Sequence, residues 1–312
     1  MQVRAMTPAN HATTQRQQTL EAPIRCRGIG LHTGARVNVV LHPAAIDTGI
    51  RFRRSDTGVM ITADWRQIVD GMLCTTLAAE GSSIATIEHL MAAFAGLGID
   101  NCLVELDGPE VPAMDGSAAP FVFLIDGAGI VAQDAPRRAI KILKPVRVAE
   151  GGKMASLEPA PEFTVSFAID FASRAIRRQQ INVVPDPDSF RREICRARTF
   201  GFFEEVETMR AAGLARGGSL DNAVVISGDR ILNAEGLRYS DEFVRHKVLD
   251  AMGDLYLAGG PMIGRFHGQR SGHGLNRQLL VRLFADPDAW CYTTLPAAAD
   301  AAWEEAPRRA LA

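Results

Sequence analysis

The segment "EFVRHKVLDAMGDLY", residues 242–256, sets His246, Asp250 and Asp254 at successive intervals of four, with Lys247 beside them. At 3.6 residues per turn, an imidazole and two carboxylates then share one helix stripe that drifts about 40° per step. Val244, Val248, Met252 and Leu255 make an adjoining apolar face suited to packing on a sheet. Such a stripe is either a solvated edge or a site. As a site, His246 and Asp250 offer two metal ligands one turn apart, and a catalytic zinc ion takes three protein ligands and keeps a position open. The H-E-x-x-H pairing is absent, so the third ligand has to come from elsewhere in the chain.

Seven histidines can be weighed one by one. His11 lies in a polar leader, His42 in the turn "LHPA" and His267 in the strand-like run "GRFHGQR", all with ordinary structural readings. His32 in "GIGLHTGA", His89 and His273 in "SGHGLN" remain beside His246. His89 is the strongest third ligand because Glu88 precedes it, and a carboxylate next to a metal-activated water can take its proton. The pair also has a bland reading, with Thr86 as a helix N-cap and Glu88 complementing the helix dipole. Spacing alone leaves a metal hydrolase and an ordinary helix both open.

These residues need a scaffold, and the chain repeats one order of parts. "ARVNVVLHPAAIDTGIRFRR" and "KMASLEPAPEFTVSFAIDF" each read as a strand hairpin with a Pro-Ala turn, alternating through Val37, Val39 and Leu41 and through Val165, Phe167 and Ile169. A histidine-bearing helix follows each: "TIEHLMAAFAGLG" in the first half, residues 242–256 in the second. "IDNCLVELDG" then resumes strand alternation through Cys102, Val104 and Leu106. This predicts a duplicated α+β protein, each unit a sheet with helices on one face, joined at the polar "QDAPRR", residues 133–138. The expected limits are a disordered leader over 1–17, domain I over 18–134, domain II over 135–297 and a flexible tail over 298–312. The insert "ARTFGFFEEVETMRAAGLARGGSLDN", about 196–222, reads as helical, without an equivalent in the first half, and suited to shaping a binding site.

Composition narrows the class. With 312 residues, 22% charged and 47% apolar, the chain is a globular protein, and its net charge of −2 gives no reason to expect nucleic acid. It contains no apolar run of the roughly 18 residues that a spanning helix needs, and "MQVRAMTPANHATTQRQQ" lacks the apolar centre of a secretory signal. Five scattered cysteines without a C-x-x-C pair predict reduced thiols in a cytoplasmic protein.

Together, "GIGLHTG", "TIEHLMAAFAGLGIDN", "MDGSAAPFV", "RARTFGF", "DEFVRHKVLDAMGDL" and "SGHGLN" resemble the UDP-3-O-acyl-N-acetylglucosamine deacetylase family, zinc enzymes of the committed step of lipid A biosynthesis in Gram-negative bacteria. The similarity runs in order from about residue 18 to about residue 290. It implies two ribosomal-protein-S5-domain-2-like α+β domains packed face to face around one Zn2+, with ferrous iron as the alternative metal, held by His89, His246 and Asp250. It implies Glu88 as general base, His273 as a protonated imidazole supported by Asp254, and Thr199 as a hydroxyl near the oxyanion. Lys247 would contact polar substrate. Phe200, Phe203, Val206, Leu214 and Leu220 would line the acyl-chain passage, with Leu73 and Cys74 of "GMLCTTL" near the metal. The expected partner is an acylated UDP-sugar, acted on by a monomer without stable membrane insertion. Two readings from other classes stand beside it. A binding protein with structural zinc is disfavoured because only three ligands are evident. A phosphotransferase is disfavoured because "GLGIDN" and "GIGLHTG" do not fit a Walker loop.

Overall fold

The computed structural model describes residues 14–71 and 73–296. The chain begins with β1 (Arg16–Leu20), β2 (Ile24–Ile29), β3 (Arg36–Pro43), β4 (Ile50–Arg54) and β5 (Met60–Thr62). Three short strands follow, β6 (Ile68–Val69), β7 (Thr76–Ala79) and β8 (Ser82–Ile84), and then helix α1 (Glu88–Leu97), β9 (Cys102–Leu106), α2 (Ala119–Ala128) and β10 (Ile130–Pro136). The second half opens with β11 (Arg138–Ile142), β12 (Val146–Glu150), β13 (Lys153–Glu158), β14 (Thr164–Asp170) and β15 (Arg178–Val183). Next come the single turn α3 (Pro187–Ser189), β16 (Phe200–Phe202), α4 (Phe203–Ala211), β17 (Val224–Ser227) and β18 (Arg230–Ile231). Helix α5 (Glu242–Tyr256), β19 (Met262–Ile263), β20 (Arg265–Gln269), α6 (His273–Phe284) and β21 (Trp290–Thr294) complete the described fold.

Two five-stranded mixed sheets carry this α+β architecture, in the orders β2-β3-β9-β4-β5 and β12-β13-β20-β14-β15. Position by position their pairings have the same sense, antiparallel except for β9 with β4 and β20 with β14. The expected hairpins are therefore not hairpins. β9 lies between β3 and β4, and β20 between β13 and β14, because the chain after α1 or α5 returns parallel to β4 or β14. The alternating residues face inward as predicted: Val37, Val39 and Leu41, Cys102, Val104 and Leu106, and Val165, Phe167 and Ile169 are all buried.

One hydrophobic core joins both halves, with Phe52 and Val104 from the first sheet, Leu90 and Phe94 of α1, Val248 and Leu249 of α5, and Phe167 and Phe266 from the second sheet. Helix α1 packs against α5, which also lies on β14 and β15. Gly253 allows the close crossing, since a Cβ there would strike the carbonyl oxygen of Glu88. Glycine inside a helix costs about 1 kcal/mol relative to alanine, and here it lets the two helices touch backbone to backbone.

Several boundaries differ from the sequence reading. Thr14 bridges to Pro296 and β1 pairs with β10, so residues 14–17 belong to the fold rather than to the leader; residues 1–13 and 297–312 lie outside the described residues. Residues 133–138 form no open linker. β10 runs through the junction to Pro136, and the half-buried Arg137 donates from Nε to Asp100 Oδ1 at 2.8 Å. The insert does not close at 222, because β16, β17 and β18 make a three-stranded sheet that extends to Ile231. Nor is it without a counterpart, since β6, β7 and β8 form a three-stranded sheet at the matching place between β5 and α1.

Candidate active site

Helices α1, α5 and α6 bring the chemistry together. Glu88 and His89 open α1, His246, Asp250 and Asp254 occupy successive turns of α5, and His273 is the first residue of α6. The first five are all buried, so the stripe on α5 is not a solvated edge. Thr86 is not the N-cap of α1. Its backbone has a φ of +58° and its hydroxyl donates to Glu110 Oε1 at 2.8 Å, while Ile87 occupies the cap position.

His89, His246 and Asp250 converge, with one ligand atom of each within 4.8 Å of the others. His246 Nε2 lies 3.2 Å and His89 Nε2 3.8 Å from Asp250 Oδ1. His246 Nδ1 lies 3.0 Å from the carbonyl of Ala197, to which it donates, so Nε2 keeps its lone pair toward the centre of the group. Asp250 Oδ1 is buried without any hydrogen-bond partner, which is costly unless a cation completes it.

The electrostatics suit a metal as well. Burial, then the neighbouring His246, holds His89 down to about 3, and burial likewise lowers His246. Burial alone would raise Asp250, but His246 and then Lys247 outweigh it and hold the carboxyl below its usual range. Two neutral imidazoles and one carboxylate are the protonation states that a divalent metal ion needs. These three residues form a site for such a cation, of the kind that zinc occupies.

Glu88 and His273 flank this group, with His273 Nε2 3.8 Å from Glu88 Oε1 and 3.9 Å from Asp250 Oδ2. Burial pushes Glu88 up to about 7, against the opposing pull of His273. For His273, burial favours the neutral ring, but Asp254 and then Glu88 outweigh it and raise the imidazole to about 9. Asp254 Oδ2 accepts from His273 Nδ1 at 2.9 Å and from Asn276 Nδ2 at 2.8 Å. Its Oδ1 accepts from the Thr75 hydroxyl at 2.5 Å.

Thr75 had escaped the sequence reading, which stopped at its neighbour Cys74. Besides bonding Asp254, its hydroxyl lies 3.1 Å from His273 Nδ1, and its backbone N–H donates to Glu88 Oε2 at 3.1 Å. Asn276, one turn after His273 in "SGHGLN", carries no chemical signal of its own in the sequence. Cys74 is buried and does not reach the cavity. Burial, then Glu88, pushes its thiol up to about 11, so it stays protonated and behaves as a small apolar residue.

A cavity of about 1190 Å³ opens from the metal group toward the insert. Thr199, Lys247, Phe200, Phe203, Val206, Leu220 and Leu73 all line it; Leu214 does not, and Met209, Ile169 and Phe171 do so without having been singled out. Lys247 Nζ donates to Asp250 Oδ2 at 2.7 Å. Thr199 is held by its backbone, donating to Gly116 O and accepting from Val224 N, both at 2.8 Å. Gly116 and Asp115 belong to "MDGSAAPFV", and Asp115 Oδ2 accepts from Arg238 Nη1 at 2.8 Å, so this first-half motif buttresses the insert. His32 lines the cavity too, its backbone N–H tied to the buried Glu110 at 2.8 Å.

The comparisons with known proteins identify the family. Residues 17–285 match the profile of the UDP-3-O-acyl N-acetylglycosamine deacetylase family. A UDP-3-O-acyl-N-acetylglucosamine deacetylase from Acidithiobacillus ferrooxidans is 53% identical over 279 residues, covering 88% of this chain and 92% of that protein. One from Phenylobacterium zucineum is 54% identical over 278 residues, covering 88% and 95%. A third, from Nitrosococcus oceani, is 54% identical over 279 residues, covering 88% and 92%.

Proposed function

The chain belongs to the UDP-3-O-acyl N-acetylglycosamine deacetylase family, and on that premise we propose how its own residues carry out the reaction. The enzyme hydrolyses the N-acetyl group of a UDP-3-O-acyl-N-acetylglucosamine to the free 2-amine and acetate, the committed step of lipid A biosynthesis. The observation that carries the division of roles is that Glu88 Oε1 and His273 Nε2 lie 3.8 Å apart, both beside the metal ligands and both lining the cavity.

An amide is a poor electrophile with a poor leaving group. When bound by His89, His246 and Asp250, zinc supplies Lewis acidity toward water and the amide carbonyl. Glu88, with a pKa near neutrality, takes the proton of the attacking water. The Thr75 N–H fixes its Oε2, which leaves Oε1 free for that transfer. His273 enters the reaction protonated. Its Nδ1–H is committed to Asp254, so its Nε2–H points toward the amide oxygen as negative charge develops there. The departing amine takes a proton from His273 or from Glu88. Thr199 contributes its hydroxyl from the insert side of the cavity, and Lys247, tied to Asp250, meets the polar part of the substrate.

The acyl chain lies in the cavity against Phe200, Phe203, Val206, Leu220 and Leu73, whose apolar surface continues through Met209 and Leu232. Each buried methylene contributes about 0.8 kcal/mol, so chain length is a direct lever on affinity. The two halves are ribosomal-protein-S5-domain-2-like units related by duplication, meeting at Arg137 with the zinc site between them; their matching strand orders support this. No helix among the described residues is long and apolar enough to cross a membrane. The enzyme acts as a monomer in the cytoplasm, a setting in keeping with five free cysteines. Zinc analysis combined with release of acetate from the acylated UDP-sugar tests the assignment. Zinc-loaded protein that leaves this substrate intact would refute it.

A further inference from the structure

Among the described residues, the largest fully buried side chain is a charged one, Arg198, only 1% exposed, and its partner Glu242 is fully buried. Glu242 opens α5 one turn before the metal ligand His246. Its Oε1 accepts from Arg198 Nε at 2.9 Å and from the backbone N–H of Arg198 at 3.0 Å. Its Oε2 accepts from Arg238 N at 2.6 Å and from Arg198 Nη2 at 3.2 Å. The guanidinium also donates to Gly236 O and Glu235 Oε1, both at 2.7 Å. A fully buried carboxylate held by four donors is an expensive construction.

The N–H that Glu242 holds belongs to the same peptide group as the Ala197 carbonyl that accepts from His246 Nδ1 at 3.0 Å. In a planar trans peptide the N–H and C=O point in opposite directions. One peptide is thus clamped between two residues of α5 four apart, with Glu242 on its N–H and His246 on its C=O. We propose that Glu242 acts on the metal through this peptide. Its negative charge polarises the 197–198 amide, strengthens the carbonyl as acceptor for His246 Nδ1–H, and so fixes the tautomer and raises the donor strength of Nε2. Arg198 is the counter-charge of the buried carboxylate, at 2.9 Å. Hydrogen-bonded chains polarise one another in this way, and groups that orient a ligating histidine govern metal affinity. Glu242 and Arg198 are positioning residues, as neither lines the cavity.

The proposal rests on His246 being a metal ligand, and His246→Ala tests that separately: if zinc binding survives it unchanged, His246 is not a ligand and the reading of the site fails before the relay does. For the relay, two variants are compared with wild type: Glu242→Gln, which keeps an acceptor oxygen and loses the charge, and Arg198→Met/Glu242→Gln, which leaves no unpaired buried charge. Zinc dissociation is measured by chelator competition, and ring nitrogen resonances of His246 and His273 by NMR on metal-depleted protein. The expected result is zinc affinity weakened by about 10–100-fold with the His246 Nδ1–H resonance displaced and that of His273 unmoved. Zinc held within about twofold of wild type by either folded variant overturns the relay. Equal displacement of both histidines also overturns it, because it signals general loosening. Should neither variant fold, hydrogen exchange on the wild type decides. The Arg198 amide should exchange slowly, and more slowly with zinc bound; an amide that exchanges like an open loop ends the proposal.

Discussion

A Cβ on Gly253 would fall on the carbonyl oxygen of Glu88, so the helix carrying two metal ligands touches the backbone of the residue beside the third. The separation of α1 and α5 therefore sets the span across which His89 meets His246 and Asp250. Gly253→Ala improves helix propensity by about 1 kcal/mol, yet it should lower both Tm and zinc content, because the methyl group forces the helices apart. A variant with raised Tm and full zinc occupancy would show that the contact is not limiting.

The proposed base and acid are set apart, with Glu88 pushed up to about 7 and His273 to about 9. Glu88 must be deprotonated to act as base, so kcat/KM rises with pH through about 7. His273 must be protonated to stabilise charge, so the rate falls above about 9. A bell centred near pH 8 is the expected profile. Glu88→Ala should cost at least about 100-fold in rate and remove the acidic limb; a surviving limb at nearly wild-type rate would assign the base elsewhere.

Asp250 contributes an otherwise unpartnered buried oxygen to the metal group, and its other oxygen neutralises Lys247. Asp250→Ala should therefore retain little zinc after dialysis. It should also leave Lys247 without its counter-charge, so that folding stability drops as well. The measurements are metal content and Tm on the same sample, and unchanged zinc would remove Asp250 from the ligand set.

Thr75 holds Asp254 and Glu88 at once, through hydroxyl and backbone. Thr75→Val keeps the shape and the N–H but deletes the hydroxyl, so kcat should fall by roughly tenfold, a fraction of the general acid–base contribution, while KM stays near wild type. Thr75→Ser should restore most of the rate. Equal defects in both variants would mean that the methyl group, not the hydroxyl, matters.

The reach of sequence reasoning follows from the range of each interaction. The stripe on α5 was legible because helical periodicity relates residues four apart, and inward strand alternation was legible for the same kind of local reason. Thr75 was not, since its bond to Asp254 spans 179 residues and no spacing rule connects them. Strand neighbours were misread for a similar cause. β3 and β4 are consecutive in the chain, but the partner between them, β9, arrives only after α1. The union of His89 with His246 was nominated by the Glu88–His89 pair and decided only by motif resemblance, because helix packing through Gly253 leaves no local pattern to read.

The cavity separates two leucines that the sequence treated alike. Leu220 lines it and Leu214 does not, while Val206 on α4 faces into it. Burying a valine side chain contributes about 1.5–3 kcal/mol, so Val206→Ser should raise KM for a long-chain substrate by about tenfold or more. Leu214→Ser should leave KM unchanged even if it loosens the turn after α4. The contrast should shrink with shortened acyl chains and vanish on a substrate without one, which should itself be processed far more slowly. Parallel kinetics on substrates of graded chain length make the check. If Leu214→Ser proved the more damaging, the chain would run on the other side of α4.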